Sequence, residues 1–137
     1  MLKVTYLPAP DPLGPVRKAA LDRLRRAVAR LHAALLEALN VPNTGTRVKG
    51  PGGRRRTVYP SPSKPGEPPR KRTGWLQRNV VYEIDGRKNT ARIGVTAGAK
   101  YGAFLELGTR RMRARPWLLA TLERVRPELA AILGGKA

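Results

Sequence analysis

The stretch Val80-Val81-Tyr82-Glu83-Ile84-Asp85-Gly86-Arg87-Lys88-Asn89-Thr90-Ala91-Arg92-Ile93-Gly94-Val95 decides how this chain is read. Val80, Tyr82 and Ile84 alternate with other residues, and so do Ala91, Ile93 and Val95. A period of two places each set on one face of a strand. The intervening Asp85 to Asn89 segment contains a glycine and suits a turn, so the stretch reads as an antiparallel hairpin.

The flanks supply what such a hairpin needs to bury its face. Upstream, Leu24, Val28, Leu31, Leu35 and Ala38 recur at intervals of three and four, one side of a helix, and Leu21, Ala27 and Ala34 widen it. Pro15 suits the first helical turn, and Asn40 and Pro42 mark the end. Arg23, Arg26 and Arg30 form a basic stripe beside this face. Downstream, Thr73 caps a short turn from Gly74 to Arg78, and Tyr101 to Leu107 reads as a short helical segment closed by Gly108. Pro116 opens a last helix whose stripe is Leu118, Leu122, Val125, Leu129 and Ile132. Pro127 removes one hydrogen bond within it, and a kink is expected there. Leu2, Val4 and Tyr6 alternate as a further short strand. The expectation is a single α+β domain over residues 1–137. A small antiparallel sheet would pack against a long N-terminal helix and a C-terminal helix.

Between the first helix and the hairpin lies a different kind of sequence. Residues 41–74 hold seven of the 13 prolines and six of the 14 glycines, and nine basic side chains against one acid. Their strong apolar residues are Val41, Val48 and Val58, too few to offset the entropy of ordering the segment. This is read as a long basic Pro/Gly-rich arm. Thr46 to Lys49 and Arg54 to Tyr59 flank Gly50-Pro51-Gly52-Gly53 and are expected to pair as a projecting two-stranded element.

The chain of 137 residues carries 28 Lys and Arg against nine Asp and Glu, a net charge of +19. Leu, Ile, Val and Phe make up roughly 23% of it, just above the level at which charged chains fail to fold. A thin core of this kind points to stability completed by partner chains. The absence of Cys excludes disulfides and thiolate sites, and the single His32 excludes a site needing two imidazoles. No apolar run reaches the ~18 residues of a membrane span. With no signal-like N-terminal run, the chain reads as a soluble intracellular product.

Catalytic constellations are weak. His32 lies beside the apolar stripe with no orienting acid in reach and reads as structural or interfacial. Glu83 and Asp85 share a strand face, but Arg87, Lys88 and Arg92 are near, so a cross-strand ion pair is expected rather than an acid dyad. Gly50 to Gly53 lacks the Lys-Ser/Thr pair of a phosphate loop. The expectation is no enzyme, no cofactor and no metal site. The basic residues Arg47, Lys49, Arg54, Arg55, Arg56, Arg70, Lys71 and Arg72 are dense enough to meet several phosphates, with Tyr59 and Trp75 near enough to stack on bases. An acidic protein surface would attract the same residues.

Two stretches carry a family resemblance. One is Pro65-Gly66-Glu67-Pro68-Pro69, followed by Thr73-Gly74-Trp75-Leu76. The other is Tyr101-Gly102-Ala103-Phe104-Leu105-Glu106-Leu107-Gly108-Thr109, then Met112, Ala114-Arg115-Pro116-Trp117-Leu118 and the final helix. In order and spacing they resemble the neck, or tail-completion, proteins of tailed double-stranded-DNA bacteriophages (the gene-product-ten-like head-tail connectors). The likeness covers residues 65–133, and the Arg54 to Arg56 run lies outside it. It implies a structural virion protein that forms a homo-oligomeric ring of about six or twelve copies. Such a ring would join the head connector or adaptor to a tail-terminator or tail-tube protein. Assembly would occur in the host cytoplasm, without a membrane, and double-stranded DNA would run in the lumen. Trp75, Leu76, Phe104, Leu105, Glu106, Leu107, Arg115 and Trp117 would then line interfaces or close the core. Glu106 is expected to pair with Arg110, Arg113 or Arg115, within the chain or across a subunit boundary. The alternative is a DNA-binding or packaging-associated module gripping backbone phosphate through residues 47–72.

Overall fold

The computed structural model describes residues 11–43, 45–58 and 63–136. The alternation at Leu2, Val4 and Tyr6, and the stacking candidate Tyr59, lie outside the described residues. In chain order the elements are α1 (Gly14–Ala38), β1 (Thr46–Lys49), β2 (Arg55–Val58), α2 (Trp75–Arg78), β3 (Val80–Asp85), β4 (Thr90–Val95), α3 (Tyr101–Leu107) and α4 (Leu118–Leu133). The fold is α+β, with two separate antiparallel pairs, β1–β2 and β3–β4.

The predicted hairpin forms as read. Val80 faces Val95, Tyr82 faces Ile93 and Ile84 faces Ala91. Asp85 closes the turn by accepting the backbone N–H groups of Arg87 and Lys88 at 2.9 and 3.2 Å. The 25-residue α1 starts with Pro15 in its first turn and extends about 37 Å at 1.5 Å per residue. Its stripe is the centre of the core: Ala34 and Leu35 have no exposed surface, and Leu31 and Leu39 are buried with them. His32 ties α1 to β3, its Nε2–H donating to the Val80 carbonyl at 3.1 Å. Its ring stands edge-on to Tyr82 at 5.2 Å.

The layering differs from the expectation of two helices on one sheet face. α1 packs on both β3 and β4, whereas α4 packs chiefly on α1. Width explains this. Two strands span about 5 Å between axes, and a helix with side chains is about 10 Å across, so the sheet seats one helix only. The small side chains Ala27 and Ala34, both buried, let α4 approach on the remaining side of α1. Val125 is buried there, and Leu118, Leu122 and Leu129 are partly buried against the same core. Arg30 reaches across to Glu128 through contacts of 2.7 and 3.3 Å. Hydrogen bonding to that carboxylate raises the Arg30 pKa further above its ordinary value. The helix runs on through Pro127 to Leu133.

The basic segment 41–74 is two structures, not one arm. Residues 46–58 form a hairpin in which Arg47 faces Thr57, Val48 faces Arg56 and Lys49 faces Arg55. Among the described residues, no other element makes more than a sparse contact with it. Residues 63–74 instead return to the body as a strap. The Lys71 N–H donates to the Val41 carbonyl at 2.7 Å, the Asn43 N–H to the Lys71 carbonyl at 2.9 Å, and the Gly66 N–H to the Ala114 carbonyl at 3.1 Å. Five prolines in or beside this region restrict the unfolded chain, so a few such bonds suffice to hold it. Among the described residues, no helix is long and apolar enough to cross a membrane.

Candidate functional site

The residues of the second recognised stretch converge on one junction, where α3 meets the start of α4. Trp117 is 2% exposed, and its indole N–H donates to the Gly102 carbonyl at 2.9 Å. Gly102 is closely packed, and any larger residue would have to displace the end of the Leu76 side chain. A Cβ there would lie 2.7 Å from Leu76 Cδ1 and 3.6 Å from Trp117 Cζ2. Gly108 ends α3 with φ of +76°, and a Cβ there would meet the Ala114 nitrogen at 2.9 Å. A residue other than glycine is disfavoured twice over at that position. The turn it makes brings the Arg115 N–H to the Leu105 carbonyl at 2.7 Å.

Glu106 is the centre of this junction, and its role corrects the expectation of an ion pair within the chain. Its Oε2 accepts the backbone N–H groups of Trp117 and Leu118 at 2.7 and 2.9 Å, and its Oε1 accepts that of Leu119 at 2.9 Å. Among the described residues of the chain, no ion pair joins it to Arg110, Arg113 or Arg115. The first N–H groups of a helix have no intrahelical partner and carry partial positive charge. A half-buried carboxylate satisfies three of them at once, whereas pairing with an exposed guanidinium gains little. This also explains why α4 starts at Leu118 with Trp117 as its N-cap, two residues later than Pro116 suggested.

Trp117 and Leu76 therefore belong to the chain's own core, and Leu105 is half-buried against it. The other apolar candidates face outward. Tyr101, Phe104 and Leu107 recur every third residue along one side of α3, and are 41%, 57% and 81% exposed. Trp75 is half-exposed, its indole N–H donating to the Gly98 carbonyl at 3.1 Å. Its backbone N–H donates to the Thr73 hydroxyl at 3.3 Å, a local turn contact; the N-cap of α2 is Gly74, at φ of +73° and with no side-chain cap bond, not Thr73 as expected. Partial burial raises the Tyr101 phenol above its ordinary pKa, with the Leu76 backbone partly opposing.

The basic candidates divide between two places. Arg47, Lys49, Arg54, Arg55 and Arg56 are all exposed on the β1–β2 hairpin. Strand alternation puts Arg47, Lys49 and Arg55 on one face, with Lys49 directly opposite Arg55. Like charges across a strand pair repel, and no acid on the hairpin relieves them. Arg70, Lys71 and Arg72 sit on the strap instead, lining a cavity of about 430 Å³ together with Asn43, Ser63 and Arg115. Lys71 Nζ donates to Asn40 Oδ1 at 3.0 Å. Three polar atoms of these residues lie behind the accessible surface and have no hydrogen-bond partner within the chain: Asn43 Oδ1, Ser63 Oγ and Arg115 Nε. Such groups cost on the order of 1–3 kcal/mol each when left unmade. Sequence reading missed this cavity. Its residues come from three distant segments, and Asn43 and Ser63 carried no pattern.

Glu83 and Asp85 share the lining of one small cleft. Asp85 serves its own turn. Glu83 faces Arg92 across the hairpin, but the expected cross-strand ion pair is absent; both border a cleft of about 150 Å³ with Lys88 and Thr90. Among the described residues, no group of three His, Asp or Glu is placed to hold a metal ion. No protein-family model, curated protein or solved structure matches this chain.

Proposed function

We propose that this chain is a structural subunit of a tailed-bacteriophage neck, without catalytic activity, that assembles into a ring between the head connector and the tail. The observation that carries the reading is the stripe of Tyr101, Phe104 and Leu107, which leaves large apolar side chains exposed on a helix whose other side is locked into the core. Aromatic and aliphatic anchors of this kind mark contact surfaces. A heterologous contact between such a stripe and a different patch on the next copy closes into a ring when its rotation permits. The likeness of residues 65–133 to neck proteins supplies the biological setting. The adjoining connector or adaptor and tail-terminator or tail-tube proteins are the proposed neighbours, with DNA passing through the lumen. The site of action is the virion neck, reached from the host cytoplasm.

The double substitution Phe104→Ser with Leu107→Ser tests it. Both side chains are surface groups, so the melting temperature is expected to change little, within about 0.5 kcal/mol of stability per site. Mass photometry is expected to show the assembled species reduced to monomer, and heads and tails to stay unjoined in a particle-joining assay. An unchanged mass distribution and normal joining would contradict the proposal.

The β1–β2 hairpin favours a second reading, that of a DNA-binding module, because Arg47, Lys49 and Arg55 crowd one face without acids. Neutralising Arg54, Arg55 and Arg56 to Gln would then reduce the slope of log affinity against log salt by about 2.7, at 0.9 per lost phosphate contact. Filter binding to duplex DNA measures this. An unaltered slope combined with failed particle joining would assign the hairpin to protein contact instead.

A further inference from the structure

We infer that neighbouring copies in the ring join edge to edge through the β3–β4 hairpin, β4 of one copy pairing antiparallel with β3 of the next. This contact rests on the ring reading above and adds a second surface to the α3 stripe. Backbone geometry leaves both edges of the hairpin open. The Thr96 N–H donates to the Asn79 carbonyl at 3.0 Å, and the strand register runs on from that pair. Hydrogen-bonded and non-bonded pairs alternate along an antiparallel ladder. The bonded pairs are therefore Val81–Gly94, Glu83–Arg92 and Asp85–Thr90. Val80, Tyr82 and Ile84 on β3, and Ala91, Ile93 and Val95 on β4, turn their N–H and C=O groups away from the partner strand. His32 takes the Val80 carbonyl. Among the described residues, no backbone hydrogen bond from another element reaches Tyr82, Ile84, Ala91 or Ile93. Two such open rows on one hairpin are templates for strand addition.

Charge selects the occupant. β3 carries Glu83 and Asp85 and no base, whereas β4 carries Arg92 and no acid. Two of the nine acids in a chain of net charge +19 thus stand on one strand. Tyr82 meets His32 of α1, so alternation puts Glu83, Asp85 and Arg92 on the sheet face away from α1. Glu83 and Arg92 face each other within the hairpin, yet neither is in an ion pair among the described residues. Setting β4 beside the next copy's β3 brings Arg92 against Glu83 or Asp85 of that copy, on the same face. Opposite charges across a strand pair stabilise it and like charges oppose it. The apolar side agrees. Tyr82 is 44% exposed, and Ile93 of the adjoining copy covers it in the same register. A foreign strand would fill one edge and leave the other open. A second copy brings the complementary edge, so every subunit has both filled. The contact joins two different surfaces, which is the kind that closes into a ring.

The test measures assembled mass for the full parent chain, for Glu83→Arg and Arg92→Glu separately, and for an equal mixture of the two variants. Each variant alone sets like charges together at every junction. Its assembly midpoint is expected to rise about tenfold or more in concentration. Mixed, the two place opposite charges at every junction of an alternating ring, and the parent's assembled mass should return. The pair within each hairpin stays broken in both variants, so only contact between copies explains such a rescue. A second measurement needs no variant. The amides of Tyr82, Ile84, Ala91 and Ile93 should exchange with deuterium quickly in dilute subunits and slowly in the assembled parent. The contact is overturned if either variant assembles like the parent, or if the folded variants fail to rescue each other. It is also overturned if those amides exchange alike in both states, including when they are already protected in the dilute subunit by another part of the chain. A parent that never assembles removes the ring reading and this contact together. A parent that assembles, with variants that do so equally, removes the edge contact alone and leaves the ring to the α3 stripe.

Discussion

Replacing Trp117 with Ala is expected to cost about 3–5 kcal/mol of stability, the range for removing a buried aromatic from a packed core. The side chain is 2% exposed and touches the two features that shape the α3–α4 junction. Its ring borders Gly102 and its N–H satisfies the Gly102 carbonyl at 2.9 Å. Removal leaves both a void and an unpaired buried carbonyl. Domains of this size hold about 5–15 kcal/mol in total, and a chain with so few strong apolar residues belongs near the lower end. The Ala variant should therefore unfold at a far lower urea midpoint with its slope unchanged. Trp117→Phe separates the two contributions. It restores most of the volume but not the donor, and is expected to lose about 1–3 kcal/mol. A Phe variant as unstable as the Ala variant would show that the hydrogen bond outweighs the packing.

Glu106→Ala carries the second-largest effect. Three backbone N–H groups at the start of α4 lose their acceptor together. Single helix caps contribute about 0.5–2 kcal/mol and hydrogen bonds to charged groups about 1.5–3 kcal/mol. The combined loss is expected at about 2–4 kcal/mol. For a domain of this length that is a fall in melting temperature of roughly 6–20 °C. Glu106→Gln keeps one acceptor oxygen and should lose about half as much. Arg110→Ala and Arg113→Ala should leave the melting temperature close to that of the parent chain. If the arginine variants were the damaging ones, ion pairing would be the true role of Glu106 and the capping account would be wrong.

These two residues show where sequence patterns inform and where they stop. The α1 stripe, the β3–β4 register and the stop at Gly108 are local. Spacing, alternation and one glycine specify them, and each forms as read. Glu106 was misread because charge patterning counts the nearest cations in sequence, whereas its real partners are neutral backbone groups that become donors only once α4 exists. The placement of α4 on α1 followed from sheet width, which no side-chain pattern reports. The segment 41–74 looked uniform in composition, yet backbone bonds at Lys71 and Gly66 divide it into a free hairpin and an anchored strap. The cavity was invisible for the same reason, since Asn43, Ser63 and Arg115 meet only after the strap has docked.

One consequence for assembly follows from the same geometry. The face of α3 that stays exposed is held by a junction fully engaged inside its own chain. The proposed anchors Phe104 and Leu107 thus project from a rigid support rather than a loose segment, which would lower the entropic cost of the proposed association. Sedimentation equilibrium on the purified chain, over a wide concentration range and then with head and tail fractions added, tests the central claim most directly. The account predicts a closed species of about six or twelve copies of the 15.1 kDa subunit. A molecule that stays at the mass of one or two subunits under every condition would contradict it.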